Sequence, residues 1–327
     1  QTRLLAEHAE RFSQICTVAT PPFDQIDQVD PKHRLTITAQ RLGLPIPKTF
    51  QVSDAEHLES IVDELQFPAF LKLPHTSGGI GLHRVESADE LREAYQETVR
   101  NFDLSNPDHH PIVQEAVEGT DYCVTMLLDQ GDVKASLAYR NVKTYPWAGG
   151  SGAIRETVRA EPCVKIATEL LSQLRWHGVA EVDFIWDGDQ QGQAYLIEVN
   201  PRFWGGLFQA VESGIDYPAM LYRLMTEGHV DAAEEAAIGT RTQVPMFGFL
   251  SAMKDIREEL FEEMEHHVDI GVDNIKQGRI GEGLQRIAHG IDRGLGLGER
   301  FRRMQVFLDE NRDARTEIFS TEDPQAC

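Results

Sequence analysis

The chain has 327 residues, enough for one large domain or two to three subdomains around a sizeable core. It carries 53 acidic against 31 basic residues, a net charge of −22, which argues against a nucleic-acid partner and against anionic membranes. No apolar run has the length of a membrane span, and four widely spaced cysteines (Cys16, Cys123, Cys163 and Cys327) without a C-x-x-C read as reduced thiols in a cytoplasmic protein.

In chain order, Gln1 to Cys16 reads as a helix with Leu4, Leu5, Phe12 and Ile15 on one face, broken by Pro21-Pro22. Asp30-Pro31-Lys32 opens a helix to about Leu42, capped by Gly43, and Leu44 to Thr49 is extended. Ser53 caps a helix to Leu65. Phe67 to Pro74 is a strand carrying Lys72, and a glycine loop with Gly78, Gly79 and Gly81 follows it. Ser87 caps a helix to about Arg100. Pro111–Val117 and Asp121–Leu128 are strands either side of a Glu118-Gly119 turn, and Val133–Lys143 returns after a hairpin turn. Pro162–Trp176 is a helix. A hairpin over 180–199 follows, and Asp216–Glu227 is helical. Beyond about Val230 the chain becomes charged and helical (Met253–Val268, Gly281–Ile291, Leu297–Arg312), with Gly294 to Gly298 read as a hinge rather than a nucleotide loop.

The hairpin is the most informative stretch. Glu198 and Asn200 are two residues apart, so both side chains leave one face of the strand, and Asp183 on the neighbouring strand can join them. Ile197 and Val199 are expected to point inward from the opposite face. Two carboxylates and an amide oxygen are hard ligands suited to Mg²⁺ held with nucleotide phosphates, Mn²⁺ being the alternative ion. Arg202 adds a cation that can fork onto phosphate or carboxylate. There is no P-loop motif. Lys72, on an apolar strand just before glycines whose N–H groups can approach phosphates, needs an anionic partner. Arg140, Lys143 and Arg155 flank the glycine-rich Tyr145–Gly152, a candidate anion-binding segment, and Phe203, Trp204 and Phe208 are candidate pocket walls.

These motifs, in this order, resemble the ATP-grasp superfamily from Asp30 to Gly228. The E-V-N-P-R form is similar to its carbamoyl-phosphate synthetase-like carboxylate–amine ligases. The resemblance implies an α/β (α+β) fold of two subdomains clasping ATP, at 30–112 and 113–230. Residues 231–327 would be a helical extension, and 1–29 the remnant or end of a Rossmann-like front domain. It implies that Lys32 and Lys72 meet phosphates, that the backbone of Glu115 and Val117 reads adenine with Gln114 beside it, and that Asp121 meets the ribose, where many members carry Glu. Arg140 or Lys143 would face the γ-phosphate and Arg155 a substrate carboxylate. The segment Ile318 to Pro324 resembles the tail of other such ligases. The implied function is an ATP-dependent, amide-forming ligase acting through an acyl phosphate. Its partners would be a small carboxylate and an amine, with a homodimer as the candidate assembly. The alternatives are a carboxylase, a thiol ligase, or an ATP-binding subunit without catalysis.

Overall fold

The computed structural model describes residues 1–74, 81–145, 151–277, 279–295 and 297–316. Gly78, Gly79, residues 146–150 and the tail from Ile318 lie outside the described residues. The chain divides into two compact units. One comprises Gln1–Val142 with Arg155–Thr240, the other Lys143–Ile154 with Arg241–Cys327.

The first unit opens with three short helices, α1 (Thr2–Glu7), α2 (Ala9–Phe12) and α3 (Phe23–Ile26). The single amphipathic helix expected over Gln1–Cys16 is broken at His8, and Leu4, Leu5, Phe12 and Ile15 are all exposed. Helices of one turn have little intrinsic stability and take the shape their few tertiary contacts allow; only Ala6 of this stretch is buried. Helix α4 (Lys32–Leu42) ends as expected at Gly43, whose φ of +68° suits a left-handed cap.

A four-stranded antiparallel sheet follows: β1 (Thr49–Gln51), β2 (Ala69–Lys72), β3 (Leu82–Val85) and β4 (Ile112–Glu115), in the order β1-β4-β2-β3. Helices α5 (Ala55–Val62) and α6 (Ala88–Asn101) bury Leu58, Ile61 and Leu91 in one cluster with Ala69, Leu71, Val85 and Val113 of this sheet. Alternation sends Ala69 and Leu71 into that core and leaves Lys72 on the other face. Asp54 rather than Ser53 caps α5, accepting the His57 N–H at 2.8 Å, and Ser87 caps α6.

The larger sheet of this unit has β5 (Thr120–Asp129), β6 (Asp132–Tyr145), β7 (Ser151–Thr157), β8 (Gly178–Trp186) and β9 (Tyr195–Asn200), in the order β7-β6-β5-β8-β9. Strand β6 leaves the unit at Lys143 and β7 re-enters it at Arg155. Its first face is apolar. Val124, Met126, Val182, Phe184, Leu196 and Val199 form one core with Leu170 and Leu171 of α7 (Glu161–Gln173). Its second face is divided. Leu127, Leu137 and Val179 pack with Tyr217 and Leu221 of α9 (Tyr217–Glu227) and Ala210 of α8 (Leu207–Glu212). The rest of that face is polar: Cys123 stands opposite both Tyr139 and Asp183, Asp183 opposite Glu198, and Glu181 opposite Asn200.

Strand β9 does not alternate as its sequence suggests. Phe184 pairs with Leu196 and Asp183 with Glu198, so Ile197 is the extra residue of a β-bulge. Leu196 and Val199 are buried and Ile197 is only half-buried, which corrects the inward placement expected for Ile197. The bulge lets two buried apolar anchors and two site residues share one short strand.

The second unit pairs β10 (Arg241–Gln243) in parallel with β11 (Arg315–Thr316). It is otherwise built from α10 (Pro245–Lys276), α11 (Ile280–Leu295) and α12 (Leu297–Glu310). Gly294 lies within α11 against Met264 of α10, so it is a packing position and not part of a hinge. Arg303 of α12 bonds Glu259 and Glu263 of α10 and Glu299 of its own helix. No helix among the described residues is long and apolar enough to cross a membrane.

Gly119 sets the turn that delivers β5 to the site. Its φ is +139°, and a Cβ there would sit 2.7 Å from the backbone carbonyl of Trp186. Gly119→Ala is expected to lower stability by roughly 1–3 kcal/mol, the scale of local backbone strain. Urea unfolding measures it; an unchanged midpoint would show that the turn can relax.

Candidate active site

The polar half of the second face is where the sequence-derived ligands meet. Asn200 Nδ2 donates to Asp183 Oδ2 at 3.1 Å and reaches Glu181 Oε2 at 3.5 Å. Arg202 Nη2 donates to Asn200 Oδ1 at 2.9 Å, so its cation orients the amide. Lys32, from the start of α4, pairs with Glu198 at 2.8 Å. Asp183, Glu198, Asn200, Arg202 and Lys32 are therefore one connected group.

Sequence reading missed Glu181. Its signal was present in Glu181-Val182-Asp183, since residues two apart on a strand share a face. Glu181 is 8% exposed and accepts the Tyr139 hydroxyl at 2.5 Å. Ligand atoms of Cys123, Glu181 and Asp183 lie within 4.8 Å of one another.

The electrostatics of this group are unfavourable as it stands. Burial pushes the Asp183 carboxyl well above its usual range, and the charges of Glu181 and Glu198 add to the shift. Burial likewise raises Glu181 to about 7, opposed by the Tyr139 hydrogen bond and then by Arg202 and Arg155. Asp183 Oδ1 is buried with no hydrogen-bond partner. A crowded set of hard oxygens, one of them unsatisfied, fits a divalent cation.

Lys72 stands on the facing sheet. Its ammonium is desolvated although its stem is partly exposed, and it donates to Gln114 Oε1 at 2.6 Å. Gln114 Nε2 in turn donates to Thr49 Oγ1 at 2.9 Å, so the amide is held between Lys72 and Thr49. Burial lowers Lys72 to about 8, aided by the Lys32 charge and opposed by Glu198 and Asp121. The same four charges thus link the nucleotide candidates to the metal candidates. Asp121 is pushed up by burial and held down by Lys72. At the hinge, the Glu115 N–H is committed to Lys48 O at 2.9 Å, so Glu115 does not offer that group to a ligand. Gly81 O accepts the Leu73 N–H at 3.2 Å. Val117 follows β4 in the turn toward Gly119.

The three cations expected around the glycine-rich segment separate. Arg155 on β7 is 3% exposed, and its Nη2 would be 3.6 Å from a Cβ on Gly205. A Cβ on Gly206 would lie 2.8 Å from Tyr139 Oη and 3.1 Å from Arg155 Cδ, so only glycine permits this approach. Arg140 stands opposite Tyr122, whose ring belongs to the apolar core of the first face, and pairs with Glu156 at 2.7 Å. Strand alternation thereby separates it from Tyr139 and the acidic cluster. Lys143 belongs to the second unit, where it pairs with Asp255 at 2.5 Å. Trp204 is a core residue, packed edge-on against Tyr217 at 5.1 Å, not a pocket wall.

Residues 108–245 match a family model described as ATP-grasp in the biosynthetic pathway with Ter operon. Urea amidolyase of Saccharomyces cerevisiae is 27% identical over 212 residues, 61% of this chain and 11% of the relative. D-alanine–D-alanine ligase of Laribacter hongkongensis is 26% identical over 220 residues, 61% of this chain and 66% of the relative. A biotin carboxylase–ATP complex from Campylobacter jejuni superposes with a TM-score of 0.59 at 17% identity, over 74% of this chain and 55% of that one. The fold is the ATP-grasp fold, and residues 108–245 carry the match to an ATP-grasp family. It spans about a tenth of the urea amidolyase and about half of the biotin carboxylase.

The depressed Lys72 generates a measurable sign. An anionic phosphate beside it raises its pKa from about 8, so the bound state holds more protons and binding tightens as pH falls through that value. At pH 8, metal-free ATP analogue should bind with uptake of about half a proton, seen by calorimetry in buffers of different ionisation enthalpy. Lys72→Met should abolish the Lys72 share of that uptake. Equal proton uptake by wild type and Lys72→Met would remove Lys72 from the phosphate contacts.

Proposed function

We propose that this protein is an ATP-dependent carboxylate–amine ligase. The observation that carries the reading is the connected group Asp183–Glu198–Asn200, with Asp183 Oδ1 unsatisfied, in the electrostatic neighbourhood of Lys72, Arg155 and Arg202. Asp183, Glu198 and Asn200 would hold the divalent ion, Mg²⁺ by its hard oxygen donors. When bound, that ion draws charge from the transferred phosphoryl group.

The chain's own residues do the rest by binding and orienting. Lys72 and Lys32 place the phosphates at the metal end, and Asp121 the ribose at the hinge end. Arg155, beside the Gly205-Gly206 turn, takes the substrate carboxylate and offsets its repulsion by the phosphates. The carboxylate oxygen then attacks the γ-phosphorus, and the bond to ADP breaks. The amine nitrogen attacks the acyl carbon, phosphate leaves with the bonding pair, and the amine releases a proton. No residue need act as a covalent nucleophile; positioning lowers the barrier. Arg202 is a positioning residue, since it acts through Asn200.

Two measurements check the assignment. Glu198→Ala and Asn200→Ala should each cut ADP release by at least about a hundredfold, the scale of lost transition-state stabilisation at such sites, with folding retained by circular dichroism. Full turnover in either variant sinks the metal assignment. Wild type with ATP, a panel of small acids and hydroxylamine should yield a hydroxamate from the acyl phosphate. A panel with no hydroxamate and no acid-stimulated ADP release would leave an ATP-binding subunit without ligase chemistry. Arg155→Ala should preserve affinity for an ATP analogue and raise KM for the acid, because the arginine serves ground state and transition state alike.

A further inference from the structure

The register of the large sheet orders the site along one axis. On β5, Asp121 lies at the hinge end, Cys123 stands opposite Asp183, and Thr125 stands opposite Glu181. Glu181 is thus one full pleat beyond Asp183, about 6–7 Å further from the nucleotide end by strand geometry. The ligand set of the reading above is Asp183, Glu198 and Asn200. Glu181 nevertheless is a buried carboxylate, fixed by the Tyr139 hydroxyl at 2.5 Å and touched only weakly by Asn200 at 3.5 Å.

Its neighbours decide what it is for. The charges of Arg155 and Arg202 both reach it. The backbone of Gly206 lies against Tyr139 Oη and Arg155 Cδ, and the Arg155 guanidinium lies beneath exposed Gly205. The corner formed by Tyr139 and Gly206 therefore presents a carboxyl group beside two arginines, next to a turn without side chains. A plain carboxylic acid would gain from the arginines and be repelled by Glu181. A molecule carrying an ammonium next to its carboxylate is matched on both counts: carboxylate to Arg155, ammonium to the Glu181 oxygen that Tyr139 does not occupy. Resting on the ligase reading above, we propose that the acid activated here is an amino acid and that Glu181 holds its ammonium group.

The test compares amino acids with deaminated acids of the same carbon skeleton, scoring acid-stimulated ADP release by the full chain. Wild type should favour the amino acid by about tenfold to a hundredfold in kcat/KM, the scale of one charge-assisted contact. In Glu181→Gln the preference should fall to about threefold or less, through a raised KM for the amino acid, while turnover of the deaminated acid survives. Tyr139→Phe keeps the charge and should keep the preference, whatever it does to kcat; a merely structural role for Glu181 would not produce this split. Wild type handling both acids equally, or Glu181→Gln retaining the preference, overturns the proposal and leaves the ligase reading standing. Should no acid stimulate ADP release, calorimetric binding of the same pairs to protein saturated with a non-hydrolysable ATP analogue decides instead. Amino acids binding no tighter than their deaminated partners then overturn it. Should Glu181→Gln fail to fold, the wild-type ratio between amino acid and deaminated acid decides by itself.

Discussion

Three carboxylates share one half-buried patch of sheet. Asp183 and Glu198 face each other across β8 and β9, and Glu181 stands one pleat away, so burial and like charge raise the free energy of the ionised group. The surroundings are arranged to tolerate this. Lys32 reaches Glu198 from α4, Asn200 donates toward both remaining carboxylates, and Arg202 orients Asn200. These contacts hold the patch together without cancelling it, and Asp183 Oδ1 is left without a hydrogen bond. Buried, like-charged oxygens with one left unsatisfied are the kind of group a cation would stabilise.

The rest of the first unit is organised around that patch. The core of the opposite face is apolar, with Trp176, Trp186 and Phe184 almost completely buried, which gives the strands a rigid base. The same face as the patch is sealed at its far end by α8 and α9. The smaller sheet contributes Lys72, whose ammonium shares its electrostatic neighbourhood with Glu198 and Asp121. Alternation within β2 keeps that lysine out of the Leu71 core and on the face opposite it. Each functional charge is thus set by a strand whose other side is anchored in a hydrophobic cluster, the support a site needs to hold its geometry.

The charge pattern also has a direction. Asp121, Cys123 and Thr125 stand at successive pleats of β5, the last two opposite Asp183 and Glu181, while Tyr139 and Arg155 both lie against Gly206. The second unit stands apart in character, built on long charged helices and tied by ion pairs such as Arg303 with Glu259 and Glu263.

The sequence by itself determined the elements and the chemistry of single strands. Hairpin 180–200, the capped helix ending at Gly43, the helix opened by Ser87 and the meeting of Asp183, Glu198 and Asn200 on one face were all legible, because periodicity, caps and turn residues are local properties. Local signals also misled where only tertiary packing decides. The apolar face of residues 1–16 found no core to bury it, and a bulge at Ile197 changed which residues of β9 point inward. Ion pairing and unit membership came only from the fold: Arg140 went to Glu156 and Lys143 to Asp255, while Arg155 alone of the three reached the Tyr139 and Gly206 corner. Glu181 joined the site because four strands aligned in register, and register depends on contacts between residues distant in the chain. That is why a sequence can name the ligands of a site, while only the packed sheet reveals which other charges share its space.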